Sequence, residues 1–521
     1  MSGMTKSPHG HEPRSALSRR GFIAGVGATA AGTVAIGAGP ALLGHDAAAA
    51  ATPSDRFGRL FPDLPPFIAA DNRSRAAMTD LGKAGGLLDA RDPLNEGPVR
   101  LITNPELSPR NRDNPFQTAG ITFLGQFLDH DMTFDASSRL GIPTPPEATP
   151  NVRTPALDLD TVYGSGPVAS PQLYQSDRIK LRIESGGRFE DVPRDGTGRA
   201  IIGDPRNDEN IMISGLQTAF ILSHNRAVDQ LRSQGVPTNQ LFDRARQLVT
   251  WHYQWIIVNE FLPLVAGHGI TLDILAHGRR FYRPEPGPAF IPVEFQGAAY
   301  RMGHSMVRPS YRANLAGNAD NTPFFGFIFD PAGENQADPV DLRGGRRAPR
   351  RFIGWQTFFD FRDGAVRPNK RVDRNITSAL FHLPLGAIAS GDPPISLPQR
   401  NLLRQLTWNM PSGQRVANAM GWGALTLPEL AGYGLGLENS TPLWYYILAE
   451  AELIGDGIVL GPTGGRLIAE VFIGLLQLDS RSYLRAAPAN WRPTLPTQTP
   501  GNFKMTDLLR WARVDPASRG Q

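Results

Sequence analysis

The sequence predicts a mainly α fold with long irregular loops and little β, on three observations. Apolar residues recur at helical spacing through about residues 211–231, 239–264, 441–453 and 465–478. Gly 55 and Pro 46 together make about a fifth of the 521 residues, which calls for long connections between those helices rather than disorder. Alternation is confined to about residues 170–204, where Gly186-Gly187 and Asp195-Gly196 mark the turns of one small hairpin.

Composition narrows the function classes. With 20% charged and 40% hydrophobic residues, the chain reads as a soluble globular protein with ample material for a core. A net charge of +4 over this length gives no footing for nucleic acid or for an anionic membrane surface. The absence of cysteine removes disulfides and thiolate chemistry.

At the N-terminus, Ser18-Arg19-Arg20-Gly21-Phe22-Ile23 precedes an uncharged Ala/Gly-rich run to Leu43 and a small-residue stretch, Ala47 to Ala51. This order resembles a twin-arginine export signal, with an N-terminal membrane anchor as the alternative. The expectation is a signal at 1–51, removed on export to the periplasm or beyond, with no stable membrane insertion afterwards. Residues 52–113, rich in Pro, Asp, Arg and Gly, read as an extended arm over a main domain at 114–521.

The main domain is organised around Phe123 to Asp135. Phe123, Leu124, Phe127 and Leu128 recur at helical spacing, and the same spacing stacks Gln126, Asp129 and His130 on one face. Asp131 is turned about 100° from His130 around the axis, so one helix carries a chemical face and, beside it, a possible anionic ligand. Taken alone, Asp-His-Asp reads equally as polar residues satisfying a helix end.

Pro143, Pro145, Pro146 and Pro150 forbid continuation of that helix. In the stretch that follows, Thr154, Ala156, Asp158 and Asp160 alternate. An extended segment would aim two carboxylates, a hydroxyl and a backbone carbonyl at one centre, hard oxygen ligands that suit Ca²⁺; the alternative is a solvated loop. Gly203-Asp204-Pro205-Arg206 then opens a long helix, with Arg206 and Glu209 three apart as either a helix-start ion pair or a site-directed guanidinium and its neighbour. The helix at about 239–264 reads as core.

Tyr300-Arg301-Met302-Gly303-His304 ends another helical stretch, and a lone histidine beside glycine is as readily structural as ligating. Residues 314–351, rich in Gly, Pro, Asp and Arg, read as a surface loop. Leu397-Pro398 starts a helix that puts Asn401 and Arg404 on one face.

Each motif alone is weak, but their order is not. Gln126-x-x-Asp129-His130-Asp131, Thr154 to Asp160 before Val162-Tyr163-Gly164, Asp204-x-Arg206-x-x-Glu209, Arg301-x-Gly303-His304 and Asn401-x-x-Arg404 together resemble the animal-type haem peroxidases of the peroxidase-cyclooxygenase superfamily. The resemblance runs from about Asn114 to Leu478 and implies a single large helical haem peroxidase domain.

By that resemblance His130 is the distal histidine, Gln126 its neighbour and Arg206 the distal arginine. His304 is the proximal iron ligand, and Asn401 is the acceptor for its other ring nitrogen. Arg301 and Arg404 are the arginines near the haem propionates. Asp131, Thr154, Ala156 through its carbonyl, Asp158 and Asp160 match a calcium loop, with Asp160 where members often carry serine. Asp129 and Glu209 match the carboxylates that esterify haem methyls, so the cofactor is haem b or an ester-linked derivative, together with Ca²⁺. Asn210 stands where a sulfonium-forming methionine would be.

The implied activity is reduction of hydrogen peroxide through a ferryl intermediate, with oxidation of a small donor such as a halide, thiocyanate or a phenol. A neutral imidazole moves the proton between the peroxide oxygens, and a guanidinium stabilises the departing one. Two alternatives share the scaffold. A fatty-acid dioxygenase would carry a radical-forming tyrosine three residues before the proximal histidine, where this chain has Arg301. A non-catalytic haem-binding matrix protein would lack one of the three central residues, and none is missing.

Overall fold

A computed structural model describes residues 54–388 and 390–521; the expected export signal at 1–51 lies outside the described residues. The described chain is mainly α, with strands confined to four two-stranded sheets. β1 (Phe57–Gly58) pairs in parallel with β5 (Ile291–Pro292). β2 (Asp113–Thr118) runs antiparallel to β8 (Pro368–Lys370), with Asp113 opposite Lys370. β3 (Glu184–Ser185) and β4 (Glu190–Asp191) form the expected hairpin around Gly186-Gly187.

Residues 52–113 are not the extended arm that composition implied. Its described part holds helices α1 (Asn72–Leu81) and α2 (Gly97–Thr103). Asp71 starts α1 with a capping box: its carboxylate accepts from Ser74 N at 2.8 Å, while Ser74 Oγ accepts from Asp71 N at 2.9 Å. Ser74, Ala77, Met78 and Leu81 are buried, the i, i+3, i+4, i+7 stripe of a core-facing helix.

The organising helix, α3, spans Gly120–Met132. It begins three residues before Phe123, at a glycine whose added Cβ would stand 2.5 Å from the Phe359 ring. It ends before Thr133, whose N–H bonds to Asp129 O. Phe127 stacks on Phe220 of α4 (Ile211–Ser233), ring centroids 4.8 Å apart.

The second long helix runs beyond Leu264. α5 (Thr238–Ile256) passes through two π turns, Ile257–Phe261 and Pro263–Gly267, into α6 (His268–His277). Pro263 has no N–H to donate, and the widened π turn lets the helix pass it. By length and composition this 40-residue helix is apolar enough to cross a membrane, yet 56% of its most apolar window is buried within the protein.

The excursion at 314–351 is likewise more than a surface loop. Phe324–Phe327 (β7) pairs with Ser310–Asn314 (β6). Arg351, fully buried, donates to the carbonyls of Pro339, Asp341 and Arg343, which ties residues 339–343 to the end of the same stretch. One guanidinium here satisfies three backbone acceptors that would otherwise be buried unpaired.

Behind these elements lie α7 (Gly303–Met306), α8 (Leu397–Thr407, capped by Ser396), α9 (Leu443–Gly455) and the almost wholly buried α10 (Pro462–Leu478). The turn Ala299–Met302 rests on α9 and α10, and α7 meets α3. Residues far apart in sequence are thereby brought to two walls of one space.

Candidate active site

Between α3 and α7 lies a cavity of about 980 Å³. Gln126, Asp129 and His130 reach it from α3, and Arg206 and Glu209 from the turn ahead of α4. Arg301, His304 and Arg404 line the facing side. Asn401 stands behind His304. Asp131, Thr154, Ala156, Asp158 and Asp160 lie apart, around a second centre described below.

On the α3 side, His130 is 4% exposed and its Nδ1 lies 2.7 Å from Asn207 Oδ1. The Asn207 amide has no freedom to turn, because Nδ2 donates to Thr161 Oγ1 at 2.6 Å and to Gln217 Oε1 at 2.8 Å. Oδ1 is therefore an acceptor, Nδ1 of His130 carries the proton, and Nε2 keeps its lone pair. Burial, and then the Arg206 charge, depress the His130 pKa to about 3, so the ring is neutral at ordinary pH. Asn207 is a residue the sequence reading missed; its place next to Arg206 was the available signal.

Arg206 is held rather than loose. Asp204 caps the 3₁₀ turn Pro205–Asp208 by accepting from Arg206 N, and takes Nε and Nη2 of the same residue at 3.0 and 2.8 Å. Nη2 also donates to Thr133 O at 2.6 Å, and the guanidinium lies 4.3 Å from the centre of the Phe134 ring. Nη1 is left toward Asp129, at 3.6 Å. Gln126 does not touch His130: it donates to Glu209 Oε2 at 3.1 Å and accepts from Asn210 at 3.2 Å. Asn210 in turn caps α4 through Ile213 N.

The two carboxyls on this wall hold protons readily. Burial raises Asp129 above its ordinary range and pushes Glu209 up to about 8, against the lowering effect of Arg206.

On the other wall, His304 is depressed to about 3 by burial and by Arg301. Its partner is oriented differently from expectation. Arg301 Nη1 donates to Asn401 Oδ1 at 2.9 Å, leaving Asn401 Nδ2 to donate to His304 Nδ1 at 2.8 Å. Asn401 is thus a donor to His304 here, not the acceptor expected, because the neighbouring guanidinium claims its oxygen. This arrangement puts the imidazole proton on Nε2. Ligation through Nε2 requires the amide to turn and Arg301 to let go. Arg404 pairs with Asp135 and Ser138, over the Trp408 ring at 4.8 Å.

The donor set fits a large cofactor that would be held through an imidazole nitrogen. Two imidazoles share the cavity, and Arg301 and Arg404 on its lining suit anionic substituents. Two buried polar atoms on its lining residues, Gln296 Oε1 and Arg404 Nε, have no hydrogen-bond partner.

Beside α3, carboxylate oxygens of Asp131, Asp158 and Asp160 lie within 4.8 Å of one another. The segment from 154 is not the extended strand the alternation implied: Leu159 is left-handed at φ 59°, and Asp160 opens a short helix. That bend lets Asp131 accept from Leu159 N at 3.1 Å and from Tyr253 Oη at 3.0 Å. Thr154 enters through its N–H, 3.3 Å from Asp160 Oδ2, and its carbonyl accepts from Ala156 N. Asp158 Oδ1 is buried without a partner. Burial and the two neighbouring carboxylates raise Asp131, and burial with Asp158 raises Asp160 to about 6. Arg246 and Arg153 offset part of this charge, at 3.2 Å from Asp158 and 3.3 Å from Asp160. Three converging carboxylates with an unpaired oxygen suit a hard divalent cation.

A family model described as animal haem peroxidase matches residues 136–341, a span that holds Arg206, Glu209, Arg301 and His304. Chorion peroxidase of Aedes aegypti is 24% identical over 377 residues, 68% of this chain and 44% of its own. The chain is similar to the animal haem peroxidases over this span. Human eosinophil peroxidase is 28% identical over 181 residues, 30% of this chain and 25% of that protein. The chain thus spans less than half the length of these curated relatives. Among solved structures, peroxidase A from Dictyostelium discoideum shares the fold at a TM-score of 0.58 and 15% identity, covering 88% of this chain and 93% of that one. A fatty acid alpha-dioxygenase from Arabidopsis thaliana follows at 0.55 and 15%, covering 90% and 78%. The mainly α fold is shared with these solved structures.

Proposed function

We propose that this protein is a haem-dependent peroxidase that reduces hydrogen peroxide and oxidises a small donor: a halide, thiocyanate or a phenol. The observation that carries the reading is the locked tautomer of His130, a neutral base in the same cavity as a second, half-buried imidazole. Haem, when bound, would supply the iron at which peroxide is reduced by two electrons. His304 and the cavity arginines, Arg301 and Arg404, hold that group. Nε2 of His130 takes the proton from one peroxide oxygen and gives it to the other, which leaves as water, while Nδ1–H stays on Asn207. Arg206, fixed by Asp204, faces the charge that develops on the leaving oxygen.

Asp129 and Glu209 are the candidates for ester bonds to the haem periphery, and burial shifts both toward the protonated form. Asp131, Asp158 and Asp160, with oxygens of Thr154 and Ala156, hold Ca²⁺ and fix the end of α3. Export through the twin-arginine-type signal belongs to the same reading.

The test is an absorption spectrum of the purified holoprotein before and after a small excess of peroxide. A Soret band that shifts within the mixing time and returns on adding a phenol supports the reading; a band that does not respond refutes it. A fatty-acid dioxygenase is the second reading, favoured by the fold shared with plant enzymes of that activity. Against it, Tyr300 lies four residues before His304, stacked on Phe295, with its hydroxyl donating to Gly125 O at 2.9 Å. Oxygen uptake with a long-chain fatty acid would favour it over the peroxidase.

A further inference from the structure

Three of the chain's 8 tryptophans meet in one cluster on and beside α5, and none of the three lines the cavity. The rings of Trp251 and Trp491, both half-buried, cross edge-to-face with centroids 5.4 Å apart. Trp255 lies 5.9 Å from Trp491 and 6.0 Å from Tyr483, which is itself 5.6 Å from Trp491. Packing alone does not call for indoles here. The Trp255 Nε1–H is buried with no acceptor, a cost that phenylalanine in the same volume would not incur. What an indole adds is an electron-rich ring that can give up one electron.

The helix that carries two rings of the cluster also carries one packed against the cavity lining. Trp251, Trp255 and Phe261 lie on one continuous helix, with Trp255 and Phe261 separated by about 9 Å of rise. Phe261 packs 6.3 Å from Tyr300, which lines the cavity, and comes within 3.3 Å of where a Cβ on Gly125 of α3 would stand. The Arg492 guanidinium, 5.8 Å from the Trp255 ring, disfavours positive charge on that indole. An oxidised state is therefore better held by the outer pair.

We propose that Trp251 and Trp491 form a surface oxidation site, through which donors too bulky for the cavity supply the electrons that peroxide reduction consumes. This rests on the peroxidase reading above. Each molecule of peroxide takes up two electrons and two protons and yields two waters. One electron at a time leaves the indole pair for the cavity, the pair is left as a radical cation, and a bulky donor returns one electron to it. Two donor molecules are each oxidised by one electron per turnover.

The test uses the holoprotein and one phenol in two forms, free and coupled to high-molecular-weight dextran. In the double variant Trp251→Phe, Trp491→Phe, oxidation of the dextran-bound phenol falls about tenfold or more, while kcat/KM for the free phenol stays within about twofold of the parent. The single variant Trp491→Phe serves if the double variant does not fold. A second readout needs no donor: after peroxide alone, peptide mass mapping finds oxygenated indole at Trp251 or Trp491, and none at the fully buried Trp355. An unchanged rate with dextran-bound phenol in the variant, or clean indoles at both positions, overturns the proposal. If the parent oxidises free phenol but not the bound form, only the surface site falls. If it oxidises neither, the peroxidase reading falls and takes the surface site with it.

Discussion

The two histidine walls of the cavity are built on opposite plans. On the His130 side every orientation is settled by the polypeptide: Thr161 and Gln217 turn Asn207, Asn207 sets the tautomer, and Asp204 pins Arg206. On the His304 side the same kind of amide is turned the other way, because Arg301 takes the oxygen of Asn401. One wall is ready for chemistry before any cofactor arrives, and the other must exchange partners to accept one. On the proposed reading, the acid–base apparatus is a property of the chain alone, whereas the ligand geometry is a property of the complex.

That contrast is broken most severely by His304→Ala, which is expected to abolish stable haem binding, read as loss of the Soret band after gel filtration. His130→Ala is expected to leave that band in place and to slow the reaction with peroxide by roughly 10²–10⁴-fold in stopped flow, the range for loss of a general base. Equal haem loss in both variants would show that the walls are not distinct. Asn207→Leu and Asn401→Leu sharpen the comparison: the first should lower the peroxide rate by about 10–100-fold with haem affinity retained, the second should weaken haem retention first.

The smallest effect lies away from the cavity, at His224 and His252, each depressed to about 4, first by burial. Unfolded imidazoles take up protons near their ordinary pKa of 6.5 and these native ones do not. Stability therefore falls as pH drops from about 6.5 to 4. His252 accepts from Thr494 N and Leu495 N through Nε2. His252→Gln should flatten the dependence of Tm on pH in that window by about one proton's worth, and an unchanged slope would show that His252 does not contribute to it.

Much of the fold was legible because apolar periodicity and turn residues are local signals: α4, α9, α10 and the β3–β4 hairpin fall close to where the pattern puts them. The misses share a cause. The capping box at Asp71 and Ser74 was hidden by the Pro and Gly around it. The passage of the long helix through Pro263 depends on a π geometry that no pattern announces. The buried role of Arg351 depends on carbonyls contributed by residues 339–343. In the cavity, residue types and order identified the members of each wall. What they left open was orientation. Asn207 and Asn401 are both asparagines beside histidines, and only their third partners, Gln217 in one case and Arg301 in the other, decide which end of the amide faces the ring.

The helix that carries Asn401 is seated on a much earlier part of the chain. Ser396 Oγ donates to Gly82 O at 2.6 Å and Gln399 Nε2 to Thr79 O at 2.8 Å, and Gly82 lies so close beneath Gln399 N that a side chain there would collide with it. During synthesis, the ledge made by residues 79–82 must wait for a partner that leaves the ribosome 314 residues later. The floor under His304 is therefore among the last parts to close. On the proposed reading, a nascent chain has nowhere to seat a porphyrin until most of its length has been made, and a cut between α1 and β2 would loosen the site from below without touching one residue of the cavity.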